Sequence, residues 1–320
     1  MSLQTRRTFL GRAAAAVGTS AAFPLAGLTL AARAWSAEKK SARKFAICNE
    51  TFKDWPLDRA FALAAECGYT GIEIAPFTIS IYVTDVPAGR RTEIRRQAEK
   101  AGIEVVGLHW LLAKTKGFHL TSPEAEVRRK TARYLGDLAQ FCADLGGKVL
   151  VFGSPQQRNR LPGVTRADGM KHAADVLQAL MPSLEKLDLV LALEPLTPKE
   201  TNFMTTAADA VELSGLVASP RCRLHLDCKA MASESTPIPE LIRRHHALLA
   251  HFHANDPNLQ GPGFGKLDFV PIFKALDEVD YRGWVSVEVF DYAPGPERLA
   301  RESIEYMRKC VAKLAQSQAE

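Results

Sequence analysis

With 320 residues, 47% hydrophobic and 24% charged, the chain is long enough to bury a large core and too apolar for wholesale disorder. Its formal charge of +5 is concentrated at one end, because residues 1–34 hold Arg6, Arg7, Arg12 and Arg33 and no acid. The remainder is almost neutral, which removes the electrostatic reason to expect nucleic acid as a partner.

In chain order, Thr5-Arg6-Arg7-Thr8-Phe9-Leu10 reads as a twin-arginine n-region, followed by an Ala-rich apolar run over 13–32 and a small-x-small cleavage site at Ala32-Arg33-Ala34. The run is broken by Gly18, Pro24 and Gly27, which favours an export signal over a membrane anchor. Residues 1–34 are therefore expected to be a signal peptide and 35–44 a tether, with the mature protein exported to the periplasm.

From residue 45 onward, strand and helix patterns alternate. A strand over 45–51 precedes a helix over 57–67 with Gly68 as its stop, and a strand over 71–75 precedes a helix over 87–101 closed by Gly102. Strands at 104–110, 148–153 and 189–194 are each followed by a helix, at 123–145, 166–186 and 206–216. The last three units are strands at 223–227, 249–253 and 284–290 with helices at 238–245, 269–278 and 296–313. Eight βα units in one domain over 45–320 predict an α/β fold closed as a (β/α)8 TIM barrel. A doubly wound open sheet is the alternative, but no GxGxxG follows the first strand. The six cysteines show no CxxC or staple-like spacing, and Cys67 and Cys142 fall on helical patterns as core residues.

Alternation along the strands separates two faces. In Arg223-Leu224-His225-Leu226-Asp227 and Trp284-Val285-Ser286-Val287-Glu288 the apolar residues would face the helix ring and the polar ones the barrel interior. His251 and His253 share a face for the same reason. Glu194, Asp227, His253 and Glu288 end the fifth to eighth strands, where barrels of this class carry their active sites. Any one of them could be a salt-bridge partner or a satisfied interior residue; four converging from contiguous strands point to a metal site. One imidazole with three carboxylates is oxygen-rich and favours Mn²⁺, with Mg²⁺, Co²⁺ or Zn²⁺ as alternatives.

The segments LALEP, LHLD, HFHAND with GPGFGKLDF, and VSVEVF resemble the xylose-isomerase-like sugar isomerase and epimerase superfamily, in its ketose 3-epimerase and hydroxypyruvate isomerase branch. The gaps of 33, 26 and 35 residues between the four ligand candidates match the metal-ligand spacing of that branch. The resemblance implies a divalent-metal-dependent isomerase or epimerase that abstracts a proton beside a carbonyl through a metal-stabilised enediolate, with Glu194 and Glu288 as catalytic acid and base. It implies a sugar or keto-sugar substrate, with Glu200 near the substrate hydroxyls; His109, with Trp110 beside it, reads either as a wall of the substrate site or as an interior packing residue. Two departures stand out: Ala230 replaces a histidine three residues after the ligand Asp, and Leu259 replaces an arginine six after the ligand His. With export, they turn the expected substrate toward keto-sugars or 3-keto-glycosides, where the same proton abstraction could end in β-elimination or hydration. A DNA-repair endonuclease of the same superfamily would need further metal ligands that Ala230 and the residues after His253 do not supply, and a silent sugar-binding barrel would not need both glutamates. Expected partners are the substrate and the twin-arginine export machinery, with no nucleic acid or membrane anchor and self-association left open.

Overall fold

The computed structural model describes residues 43–317. The expected signal peptide and residues 35–42 of the expected tether lie outside the described residues. Lys44, assigned to the tether from sequence, is the first residue of β1 (Lys44–Cys48).

Seven further strands follow: β2 (Gly71–Ile74), β3 (Glu104–Leu108), β4 (Val149–Phe152), β5 (Val190–Leu193), β6 (Cys222–Asp227), β7 (Leu249–Ala254) and β8 (Trp284–Val287). Each pairs in parallel with the next, and β8 pairs with β1 to close the barrel, which rules out the open sheet. The helices are α1 (Leu57–Cys67), α2 (Ala88–Ala101), α3 (Ala125–Leu145), α4 (Arg166–Leu187), α5 (Ala207–Val217), α6 (Cys228–Met231), α7 (Ile238–His245), α8 (Val270–Glu278) and α9 (Pro296–Ser317). α1 stops at Gly68, whose φ of 94° lets its N–H cap Ala64 O and Ala65 O, a geometry that favours glycine.

Alternation divides the strands as the sequence predicts. Ile47, Ile72, Leu224, Leu226, Phe252, Val285 and Val287 belong to the apolar core that includes the helices. The residues between them face one another inside the barrel: Cys48 Sγ lies 3.4 Å from Glu73 Oε2 and 3.7 Å from Ser286 Oγ. That interior is unusually polar for such a barrel, whose layers are ordinarily branched aliphatics. All six cysteines are free and buried, Cys67 and Cys142 in helices as expected.

Six of the eight strands end one to three residues earlier than the sequence suggests, whereas β6 ends at Asp227 as expected and β7 runs one residue longer, to Ala254. β1 stops at Cys48, and a 3-10 turn over Asn49–Phe52 follows, anchored by Asn49 Oδ1 accepting the Ala75 N–H at 2.7 Å. β3 stops at Leu108, and two residues on the backbone is left-handed at Trp110, with φ 53°. β8 stops at Val287, just before Glu288. α6, unexpected from sequence, starts directly after Asp227, whose carboxylate accepts the Ala230 N–H. Among the described residues no helix is long and apolar enough to cross a membrane.

Candidate metal and sugar site

The site is built on β6, β7 and β8, whose register sets Asp227 beside His253 and His253 beside Ser286. His253 Nε2 lies 2.8 Å from Glu73 Oε2 on β2. Its Nδ1 lies 2.9 Å from Glu288 Oε2 and 3.9 Å from Asp227 Oδ2. Glu73 and Glu288 thus hold the two ring nitrogens between them. With Nε2–H kept on Glu73, displacement of the Nδ1 proton by a cation would leave the Nδ1 lone pair facing Asp227 and Glu288, the arrangement by which a buried carboxylate orients a metal-ligating imidazole. Glu73 also makes a close but poorly aligned contact with His251, whose Nε2 lies 2.5 Å from Oε1. Asp227 is fixed by two donors, the Ala230 N–H on Oδ1 and Asn255 Nδ2 on Oδ2 at 2.5 Å.

Glu194 follows β5 and lies against Gly153, where an added Cβ would come within 1.7 Å of Oε2. Only glycine allows that approach. Behind it, the wholly buried Arg158 donates from its two terminal nitrogens to Glu194 O at 2.6 Å and Phe152 O at 2.5 Å, so one guanidinium ties together the ends of β4 and β5. Burial pulls that guanidinium down to about 10, which leaves it charged at neutral pH.

Burial pushes the Glu194 carboxyl well above the ordinary range, and the charges of Glu288 and Asp227 add to it. Burial also raises Asp227, against the pull of Lys229. For Glu288 burial acts the same way, but His253, its hydrogen bond, His109 and Lys229 together hold the carboxyl below its ordinary value. One ligand atom each from Glu194, Asp227 and His253 lies within 4.8 Å of the others, while Glu288, bonded to His253 Nδ1, groups instead with Glu50 and His109. Buried carboxylates around an imidazole form a donor set that suits a divalent cation, which would neutralise their mutual repulsion.

Trp110, Gly153, Pro155, Glu194, Leu196, Glu200, Glu288 and Phe290 line a narrow cleft above this floor. Trp110 donates from Nε1 to Glu288 Oε1 at 2.9 Å, held there by a backbone conformation that is strained for a bulky residue. Glu200 accepts from Thr197 Oγ1 at 2.8 Å on one oxygen and from Lys229 Nζ at 2.7 Å on the other. The Lys229 ammonium stands 3.8 Å from the Phe290 ring centroid. His109 sits deeper than its expected wall position, with Nε2 2.7 Å from Glu50 Oε2 and in reach of Glu288. Leu259, at the position of the missing arginine, is exposed.

Glu50, Arg158 and Lys229 escape the sequence reading. Glu50 falls inside what reads as a continued strand. Arg158 lies in the loop Ser154-Pro155-Gln156-Gln157-Arg158, which has no periodicity. Lys229 looks like an ordinary solvated lysine, although it follows the ligand candidate Asp227 by only two residues.

Comparison with known proteins agrees with the barrel fold. The family model described as xylose isomerase-like TIM barrel matches residues 61–310. A probable ketose 3-epimerase of Synechocystis is 26% identical over 266 residues, covering 78% of this chain and 89% of the relative. A D-psicose 3-epimerase of Enterocloster bolteae is 30% identical over 250 residues, covering 75% and 78%. The crystal structure of a 3-keto-D-glucoside 4-epimerase from Escherichia coli superposes with a TM-score of 0.73 at 22% identity, over 84% of this chain and 100% of that one.

If Glu73 sets the orientation of His253, Glu73→Gln should weaken divalent-ion binding by about 10–100-fold, the usual effect of losing such a supporting carboxylate. Titration of the chelator-stripped protein with Mn²⁺ measures this, and unchanged affinity would detach Glu73 from the site.

Proposed function

The chain belongs to the xylose isomerase-like TIM-barrel family, and from that premise we propose that it is a divalent-metal-dependent sugar epimerase in which Glu194 and Glu288 handle the protons. The observation that carries the proposal is that both glutamates line one cleft, above a floor made by Asp227 and His253. Glu194, Asp227, His253 and Glu288 would hold the ion; Mn²⁺ is the first choice for a set with three carboxylates. When bound, the ion would polarise the substrate carbonyl as a Lewis acid.

The protein's own groups do the rest. One glutamate removes the proton from the carbon beside the carbonyl, and the other returns a proton to the opposite face, which inverts the centre. Trp110 fixes the Glu288 carboxylate through its indole N–H. Glu200, anchored on both oxygens, keeps an ionised carboxylate for substrate hydroxyls, while Phe290 and Trp110 offer flat apolar faces to the sugar. The activities of the Synechocystis and Enterocloster relatives suggest a ketose or another keto-sugar as substrate. Lys229 beside Glu200 supplies a cation near the cleft, although Ala230 and Leu259 replace the family's polar pair.

We further propose that the protein acts after twin-arginine export, on the strength of Arg6, Arg7 and the apolar run that follows. Replacing Arg6 and Arg7 by Lys should leave the protein in the cytoplasmic fraction. Undiminished export of that variant would remove the twin-arginine route.

Glu194→Gln and Glu288→Gln each keep a carbonyl oxygen but remove basicity. Each should lower epimerisation of keto-sugars by at least about a hundredfold. In D₂O with Mn²⁺, the native protein should place one deuterium on the inverted carbon, and one variant should still exchange the substrate proton without forming the epimer. A product that has lost water or a leaving group would instead make the protein a lyase. Near-native turnover by both variants would end the two-glutamate mechanism.

A further inference from the structure

One imidazole inside the barrel has no role so far. His225 lies on β6 two residues before Asp227, so both side chains point inward. It is wholly buried, and neither ring nitrogen has a hydrogen-bond partner. A buried polar atom without a partner is uncommon and calls for an occupant or a function. An aliphatic side chain of similar size would fill the same space without two unpaired nitrogens.

Its neighbours indicate what the occupant would be. His225 Nε2 lies 3.8 Å from Glu194 Oε1, too long for a hydrogen bond, and the His253 ring stands edge-on with centroids 4.1 Å apart. One ligand atom each from Glu194, His225, Asp227 and His253 all fall within 4.8 Å of one another. Two donors on opposite sides of an ion, at roughly 2.0–2.2 Å each, are about 4.2 Å apart. Shifts on the order of half an ångström would therefore bring an opposed pair of this set to bonding distance of a single ion. Glu288 approaches from the cleft, with one oxygen already bonded by Trp110 and the other by His253.

We propose that His225 is a further ligand of the ion assigned to Glu194, Asp227 and His253, entering from the barrel interior, and that this second imidazole shifts the site's preference toward Co²⁺, Ni²⁺ or Zn²⁺. The inference rests on the metal site proposed above. Carboxylates alone suit Mg²⁺ and Mn²⁺, whereas each added imidazole favours the later divalent metals. The same contact pairs a nitrogen that the fold otherwise leaves orphaned.

The test uses the full chain, stripped with chelator and reloaded with Co²⁺ or Mn²⁺. X-ray absorption of the native Co²⁺-protein should show scattering from two imidazoles, a measurement that needs no variant. His225→Leu should show one imidazole and lose Co²⁺ affinity by at least about tenfold, while Mn²⁺ affinity changes less. His225→Gln, which retains a polar side chain, serves if the leucine variant does not fold. A single imidazole in the native protein, or Co²⁺ affinity untouched in a folded variant, would overturn the inference. If Asp227→Asn also abolishes binding in that case, the metal site survives and only the role of His225 falls. No stoichiometric binding by the native protein would overturn both.

Discussion

A carboxylate buried inside the barrel, Glu73, bears directly on how the site is arranged. It is wholly buried, and the close His251 and His253 imidazoles, with the hydrogen bond from His253, overcome the burial that would neutralise it, holding it well below the ordinary carboxylate range. By accepting from His253 Nε2 it turns Nδ1 toward Asp227 and Glu288, so the nitrogen proposed to meet a cation is oriented by a residue on the far side of the barrel. Such a pair stabilises only when both partners are present; removing one leaves the other charged and unpaired in a low dielectric. Closure of β1 on β8 brings β2 close enough for this contact to form.

The same logic extends to Glu194. Its position depends on Gly153, which has no side chain to obstruct it, and on Arg158, which holds the two adjacent strand ends by their carbonyls. A misplacement of about 1 Å can cost a reaction about a hundredfold, so a glutamate proposed to carry protons from a strand end needs its backbone fixed as well as its side chain. For Glu194 that backbone rigidity comes from the two carbonyl bonds of Arg158.

Much of the fold was legible because period-two alternation and glycine stops are local signals. Leu224 and Leu226 against His225 and Asp227 already separate the helix-facing side of β6 from its interior side, and Gly68 marks the end of α1. The strand-end residues were legible as a set because parallel closure sends every strand's C-terminal end to the same mouth. The turn over Asn49–Phe52 was hidden, since Asn-Glu-Thr-Phe carries no breaker and its shape comes from Asn49 reaching the Ala75 N–H. Arg158 and Lys229 were hidden for another reason. Their roles arise from contacts across the fold, to Glu194 O and to Glu200, that no spacing along the chain encodes.

One divalent ion is proposed to sit where the ends of β5, β6, β7 and β8 converge. Anomalous diffraction from crystals grown with Mn²⁺ tests it most directly. A single strong peak at bonding distance from His253 Nδ1, with carboxylate oxygens of Glu194, Asp227 and Glu288 around it, is the predicted result. A peak elsewhere in the protein, or none at saturating Mn²⁺, would contradict it.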